Sequence, residues 1–189
     1  MHAQMWLSVF VVRSSPRPDR PAGVYGAAYV DYQDGSPLTY HELLVARPVR
    51  AGGRPGVRIT DIWVDSPESS AGGRALWAIP KELADLPLQD QQVGPLSRTT
   101  FGGYADGQRI ATGRFTAAPG AALLRTPFSS VTSQQREDGS VVVTSMRGSA
   151  RSLPCLGSWD FDAHGPLAFL HGRRPVASFR LADLRLTFG

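Results

Sequence analysis

The chain has 189 residues, 42% of them apolar and only 19% charged. That balance supports a packed core and excludes a disordered chain, and the length suits one domain over residues 1–189 rather than two. The net charge of +4 comes from arginines spread along the whole chain. With no stacking motif or helix-turn-helix pattern beside them, they argue against nucleic-acid binding.

The first fifteen residues, MHAQMWLSVFVVRSS, lack a basic leader and hold a short apolar run. They read as a first strand, not as a signal peptide. No apolar stretch is long enough for a membrane span. The lone cysteine, Cys155, excludes an internal disulfide and a cysteine zinc site and reads as a small core residue. Together these features point to a cytoplasmic chain. Strand patterns follow at about residues 5–12, 24–32, 39–46, 57–65 and 76–79, with a Pro/Arg-rich loop at 14–23. The second half adds strands near 99–105, 109–116, 123–133, 140–145, 152–161 and 176–188. Asp106-Gly107 and Asp138-Gly139 read as hairpin turns. Ser66-Pro67-Glu68 starts a short helix that the sequence predicts to end near Gly72-Gly73. Further short helices are predicted over 81–86 and 166–170. The fold class is mostly β: a single domain with a few short helices.

Of the 20 basic residues, 19 are Arg and one is Lys, at position 81. An arginine stays charged near neutral pH, whereas an amine can be tuned to lose its proton. The one lysine retained in so strong a bias is a candidate for chemistry that needs an amine. Other sites are weaker. His41, His164 and His171 show no metal-binding spacing. The Ser69-Ser70 and Ser129-Ser130 pairs lack a nucleophile elbow, and no glycine pattern makes a phosphate loop.

Residues 59–86, ITDIWVDSPESSAGGRALWAIPKELADL, join a strand, a capped helix, a Gly-Gly-Arg turn, a second strand and Pro80-Lys81. This order resembles the acetoacetate decarboxylase superfamily, and the resemblance implies a closed β-barrel or cone. The matching residues are Asp65, Gly73-Arg74-Ala75, Trp77-Ala78-Ile79 and Pro80-Lys81. The resemblance implies that Lys81 forms a Schiff base with the substrate. Residues 39–46, TYHELLVA, resemble the family's pocket wall and put Glu42 on its active-site glutamate, with Tyr40 on the same strand face. His41 then points the other way. Trp77, Ile79, Leu83, Trp63 and Phe101 are the expected apolar walls. Residues 165–189 resemble the closing segment of short bacterial members.

Two departures matter. The family's second lysine is Glu82 here, so desolvation alone is expected to hold Lys81 well below the ordinary value of about 10.4, with Glu82 turned away. The family's N-terminal arginine has no counterpart, and its second glutamate falls near Ala27-Ala28. The reading is therefore a lyase-like Schiff-base enzyme acting on a keto acid or related carbonyl compound. It would decarboxylate, or in specialised metabolism run aldol, dehydration or cyclisation chemistry. No metal, nucleotide or organic cofactor is implied, because the lysine supplies the electrophilic centre, and a homo-oligomer is compatible with it. The competing reading is a barrel that binds or shapes a ligand without lysine chemistry.

Overall fold

Strand patterning becomes two layers in the computed structural model, which describes residues 1–14, 18–118 and 124–189. The middle of the predicted loop (15–17) and Leu123, at the start of a predicted strand, lie outside the described residues. The first layer holds β1 (His2–Val12), β2 (Gly23–Tyr32), β3 (Tyr40–Ala51) and β4 (Arg54–Val64). After α1 (Pro67–Trp77) come β5 (Glu82–Leu83), β6 (Leu88–Val93), β7 (Leu96–Ala105) and β8 (Gln108–Ala117). The chain ends with β9 (Thr126–Gln135), β10 (Val141–Pro154), β11 (Leu156–Phe161) and β12 (Ala177–Phe188). Seven strands run in the order β3-β2-β1-β12-β10-β9-β4, and β4 pairs back onto β3, closing a barrel. The second layer is a four-stranded sheet, β11-β8-β7-β6. Among the described residues, no helix is long and apolar enough to cross a membrane.

Closure depends on a short parallel contact in which Gly56 and Val57 of β4 meet Val131 and Thr132 of β9. A Cβ on Gly56 would lie 2.6 Å from the Val131 carbonyl oxygen, so only glycine lets these backbones meet. The Asp106-Gly107 turn joins β7 to β8 with both residues at positive φ (50° and 74°), as a two-residue hairpin requires.

Strand alternation sorts side chains to the two faces of the barrel wall. On β1, Met5, Leu7 and Val9 line the interior, whereas Trp6 and Phe10 are buried on the outer face. On β2, Ala28 and Tyr32 line the interior and Tyr25 and Tyr29 face out. The outward set packs against Phe101, Phe115 and Phe161 of the second sheet. Tyr29 stacks on Phe101 at 4.3 Å, and Phe101 meets Trp159 edge-on at 4.9 Å. Cys155 packs half-buried against this core, and burial pushes its thiol up to about 11.

The segment before Lys81 departs from the sequence expectation. Ser66 caps α1 by accepting from the Ser69 N–H at 3.1 Å, and Pro67 opens it, as predicted. The helix does not end at Gly72-Gly73 but runs to Trp77, so the predicted strand at 76–79 is its last turn and cap. Ala78 adopts the left-handed conformation (φ 52°), and the Ile79 N–H donates to the Gly73 carbonyl at 3.1 Å. The predicted helix at 81–86 is extended chain, with β5 parallel to β4 at Trp63 and Val64. The third predicted helix is a single 3-10 turn, Ala168–Leu170.

Candidate active site

Pro80 ends the capped turn, and the Lys81 N–H donates back to the Ile79 carbonyl at 2.8 Å. This tight turn aims the Lys81 side chain away from solvent. Two groups hold its backbone: the Ser70 hydroxyl donates to the Lys81 carbonyl at 3.0 Å and Arg74 Nε at 2.6 Å. The side chain passes over Gly73, where a Cβ would lie 2.7 Å from Lys81 Cδ and 2.9 Å from Cε. Glycine persists in mid-helix despite its poor propensity because the lysine stem needs that space. Lys81 sits just ahead of β5 rather than at a strand end, and Glu82 and Leu83 after it are exposed. Leu83 therefore forms no wall.

The Lys81 side chain is buried, with 5% of the residue exposed. Its Nζ donates to Glu42 Oε2 at 2.8 Å, to the Ser69 hydroxyl at 2.9 Å and to the Tyr40 hydroxyl at 3.4 Å. Three N–H donors thus meet three acceptors. Tyr40 stacks on Tyr32 at 4.4 Å. Burial, with the nearby Glu42 charge, holds the Tyr32 phenol well above its ordinary value. Tyr40 is raised by the same two causes.

Burial is the largest single influence on Lys81 and pulls its pKa down. The Glu42 carboxylate and Tyr40 together outweigh it, and the pKa ends above its ordinary value. The expectation of a depressed lysine is thereby corrected: desolvation acts as foreseen, but the carboxylate that the sequence put nearby lies in direct contact. The resting site holds an ammonium paired with Glu42.

This cluster occupies one end of a cavity of about 440 Å³ inside the barrel. Tyr40, Glu42, Trp77, Ile79 and Lys81 all line it, with Trp77 packed on Phe188 at 5.2 Å. Trp63 and Phe101 do not. Opposite the Val45–Ala46 step of β3, β4 carries one extra residue: Ala46 pairs with Ile59 but Val45 with Asp61. That bulge at Thr60 reverses the alternation, so Ile62 faces the cavity and Trp63 faces the outer core. Phe101 belongs to β7 in the other layer. His41 also points outward, where its ring meets Asp65 Oδ2 at 2.7 Å and its N–H donates to Asp65 Oδ1 at 2.7 Å. Asp65 thus fixes the start of β3 from outside the cavity.

The sequence missed Tyr32 and Ser69. Ser69 and Gly73 are the buried residues of α1 and stand four apart, hence on one helix face. That spacing was a usable signal. Tyr32 pairs directly with Tyr40 across β2 and β3, which follows only once the hairpin register is known. Among the described residues, no group of three or more His, Cys, Asp or Glu is placed to hold a metal.

The acetoacetate decarboxylase (ADC) family model matches residues 17–147, well over half of the sequence. The chain belongs to the acetoacetate decarboxylase family. Among solved structures it is similar to the Legionella pneumophila acetoacetate decarboxylase, with 17% identity over all of this chain and 84% of that one and a TM-score of 0.64. It is also similar to the enduracididine biosynthesis enzyme MppR, complexed with the condensation product of pyruvate and imidazole 4-carboxaldehyde. There the identity is 15%, over 98% of this chain and 87% of that one, and the TM-score is 0.64. An acetoacetate decarboxylase-like enzyme from Sphingomonas wittichii RW1 matches at 12% identity over 98% and 91% of the two chains, with a TM-score of 0.60. At such identities the likeness shows a shared fold. No curated protein matches the chain in sequence.

Proposed function

We propose that this protein is a Schiff-base enzyme in which Lys81 attacks the carbonyl carbon of a small organic substrate. The observation that carries the reading is the chain's one lysine, buried at the end of an apolar cavity with Glu42 2.8 Å from its amine. Family membership supports it.

The ammonium cannot attack. Moving one proton from Lys81 Nζ to Glu42 Oε2 gives a neutral amine and a neutral acid without changing the site's net charge. A water-poor cavity favours that neutral form as substrate replaces solvent. The amine lone pair then forms the N–C bond, and the carbonyl π pair moves to oxygen. Glu42 returns its proton to that oxygen. The nitrogen of the carbinolamine then gives up its extra proton to Glu42, which passes it to the hydroxyl as water leaves, and the iminium remains. The iminium is an electron sink for a bond broken or formed at the neighbouring carbon. The Tyr40 and Ser69 hydroxyls, already on Nζ, hold the nitrogen in place. Decarboxylation is the family's reaction, yet among the described residues no arginine is placed beside Lys81 Nζ to hold a substrate carboxylate: Arg74 is exposed and spends Nε on the backbone. Condensation or dehydration through the same iminium fits this site better, and the carbonyl condensation product held by MppR supports that direction.

The test is reductive trapping. Incubation with pyruvate, acetoacetate or an alkyl ketone and borohydride is expected to add the reduced substrate's mass to the peptide carrying Lys81, and to leave Lys81→Met unmodified there. Absence of an adduct at Lys81 with all three compounds would overturn the proposal.

A further inference from the structure

The cavity is far larger than a three- or four-carbon keto acid requires, and its polar groups are gathered at one end. About 440 Å³ lies within the range of pockets that enclose whole drug-sized ligands. Lys81, Glu42, Tyr40 and Tyr32 mark the reactive end. Away from it the lining is Leu7, Val9, Leu44, Ile59 and Leu181, with Ala28, Gly26 and Ala46 forming a lane of small residues. Gly26 pairs with Ala46, and Ala28 with Leu44, so this lane crosses β2 and β3 side by side. Ala46 lies four residues beyond Glu42 on the same face of β3, about 13 Å at 3.3 Å per residue.

Charge narrows the occupant further. Lys81 and Glu42 cancel each other; among the described residues the lining also holds Thr132, Arg47 and Met1, whose terminal ammonium is engaged by the Leu186 carbonyl at 2.8 Å. Arg47 belongs to the outward set of β3, and its charge acts on Tyr25 in the outer core. Among the described residues, a carboxylate beside the reacting carbonyl would therefore be buried next to Glu42 without an uncommitted cation of its own, which is strongly unfavourable.

We propose that the substrate is an uncharged alkyl ketone or aldehyde. Its carbonyl lies at Lys81 and its unbranched chain runs along Ala28, Gly26 and Ala46. At about 3.8 Å per three extended bonds, 13 Å holds about ten carbons. This inference rests on the Lys81 reading and adds the substrate class to it.

Calorimetry on the full chain with 2-alkanones from four to twelve carbons tests it, with the 3-oxo acids of equal length as a second series. Affinity is expected to rise about fourfold per methylene and to stop rising near ten carbons. Each acid is expected to bind at least tenfold more weakly than the ketone of its length. Ala46→Phe, or the gentler Ala46→Leu, is expected to end the rise several carbons earlier. A flat series, or acids binding more tightly than ketones, would overturn the inference. Borohydride trapping in the same samples separates the two ideas. Short ketones trapped on Lys81 with a flat series sink the chain and leave the lysine chemistry standing. A rising series with no adduct at Lys81 sinks the lysine chemistry and leaves the cavity's occupant standing.

Discussion

The barrel wall has two apolar faces built from the same strands, and they are filled differently. On the outer face, Trp6, Phe10, Tyr25, Tyr29 and Trp63 pack into one core with the aromatics of the four-stranded sheet. On the inner face, the neighbours one position away in sequence are Met5, Leu7, Val9, Val24, Gly26, Ala28 and Ile62, and a cavity of about 440 Å³ remains. The inner face buries its ion pair whole, Lys81 with Glu42, with Tyr40 and Tyr32 beside it, whereas the outward pairs Arg20–Asp61 and His41–Asp65 stay partly open to solvent. The difference shows what side-chain volume decides on a two-sided sheet. Large aromatics bind two layers into one core, and small aliphatics on the opposite parity keep space open around a reactive amine.

The sharpest way to break that comparison is truncation on each face. Phe101 is stacked against Tyr29 and edge-on to Trp159, so Phe101→Ala is expected to cost about 3–5 kcal/mol. Leu44 already faces the cavity, and Leu44→Ala is expected to cost less than about 2.7 kcal/mol, the floor for leucines packed on every side. Urea unfolding midpoints check both. Equal losses would mean that the cavity walls are as fully packed as the outer core.

Next in size is the ion pair. Glu42→Gln leaves the Lys81 ammonium buried with the Ser69 and Tyr40 hydroxyls but no carboxylate, at an expected cost of about 3 kcal/mol near neutral pH. The sign of the pH dependence should also reverse. In the native chain the Lys81 pKa lies above its unfolded value. The stability this supplies is complete below about pH 10.4 and is lost as pH rises through the elevated pKa. In the variant, burial, the largest single influence, is opposed by Tyr40 without the Glu42 charge and is expected to bring the folded pKa below the unfolded one, so stability should rise with pH until about 10.4. Unfolding followed from pH 7 to pH 11 reads both slopes, and parallel slopes would show that Glu42 does not control Lys81.

Much of this arrangement was legible in the sequence, for identifiable reasons. The arginine bias isolated Lys81, and strand period put Tyr40 and Glu42 on one face; both line the cavity. The cap at Ser66-Pro67 was equally readable. Trp63 was misplaced because one inserted residue at Thr60 reverses parity, and nothing in ITDIWV marks a bulge. Phe101 was misplaced because local pattern does not assign a strand to a layer. Gly72-Gly73 reads locally as a helix end, but its role is set by a side chain eight residues beyond Gly73 that must pass over the helix. The Lys81 pKa failed for a related reason. Desolvation could be foreseen, but the 2.8 Å contact that overrides it exists only after β3 and the turn at Pro80 have been brought together.

Gly73 gives the smallest expected effect on stability and a selective one on the site. Alanine is the better helix former by about 0.8–1.0 kcal/mol, so Gly73→Ala should leave α1 at least as stable in isolation. In the folded chain the new Cβ would lie 2.7 Å from Lys81 Cδ, which has to move. The lysine stem is flexible, whereas α1 is fixed at both ends by its caps, so the amine yields rather than the helix. Nζ then loses its placement on Glu42 and Ser69. The expected result is a melting temperature within a few degrees of the native chain and a borohydride trapping rate at Lys81 at least tenfold lower. A variant that melts as the native chain does and traps substrate at the native rate would show that the lysine does not need the path over Gly73. The cavity would then tolerate added volume even where the lysine stem crosses α1.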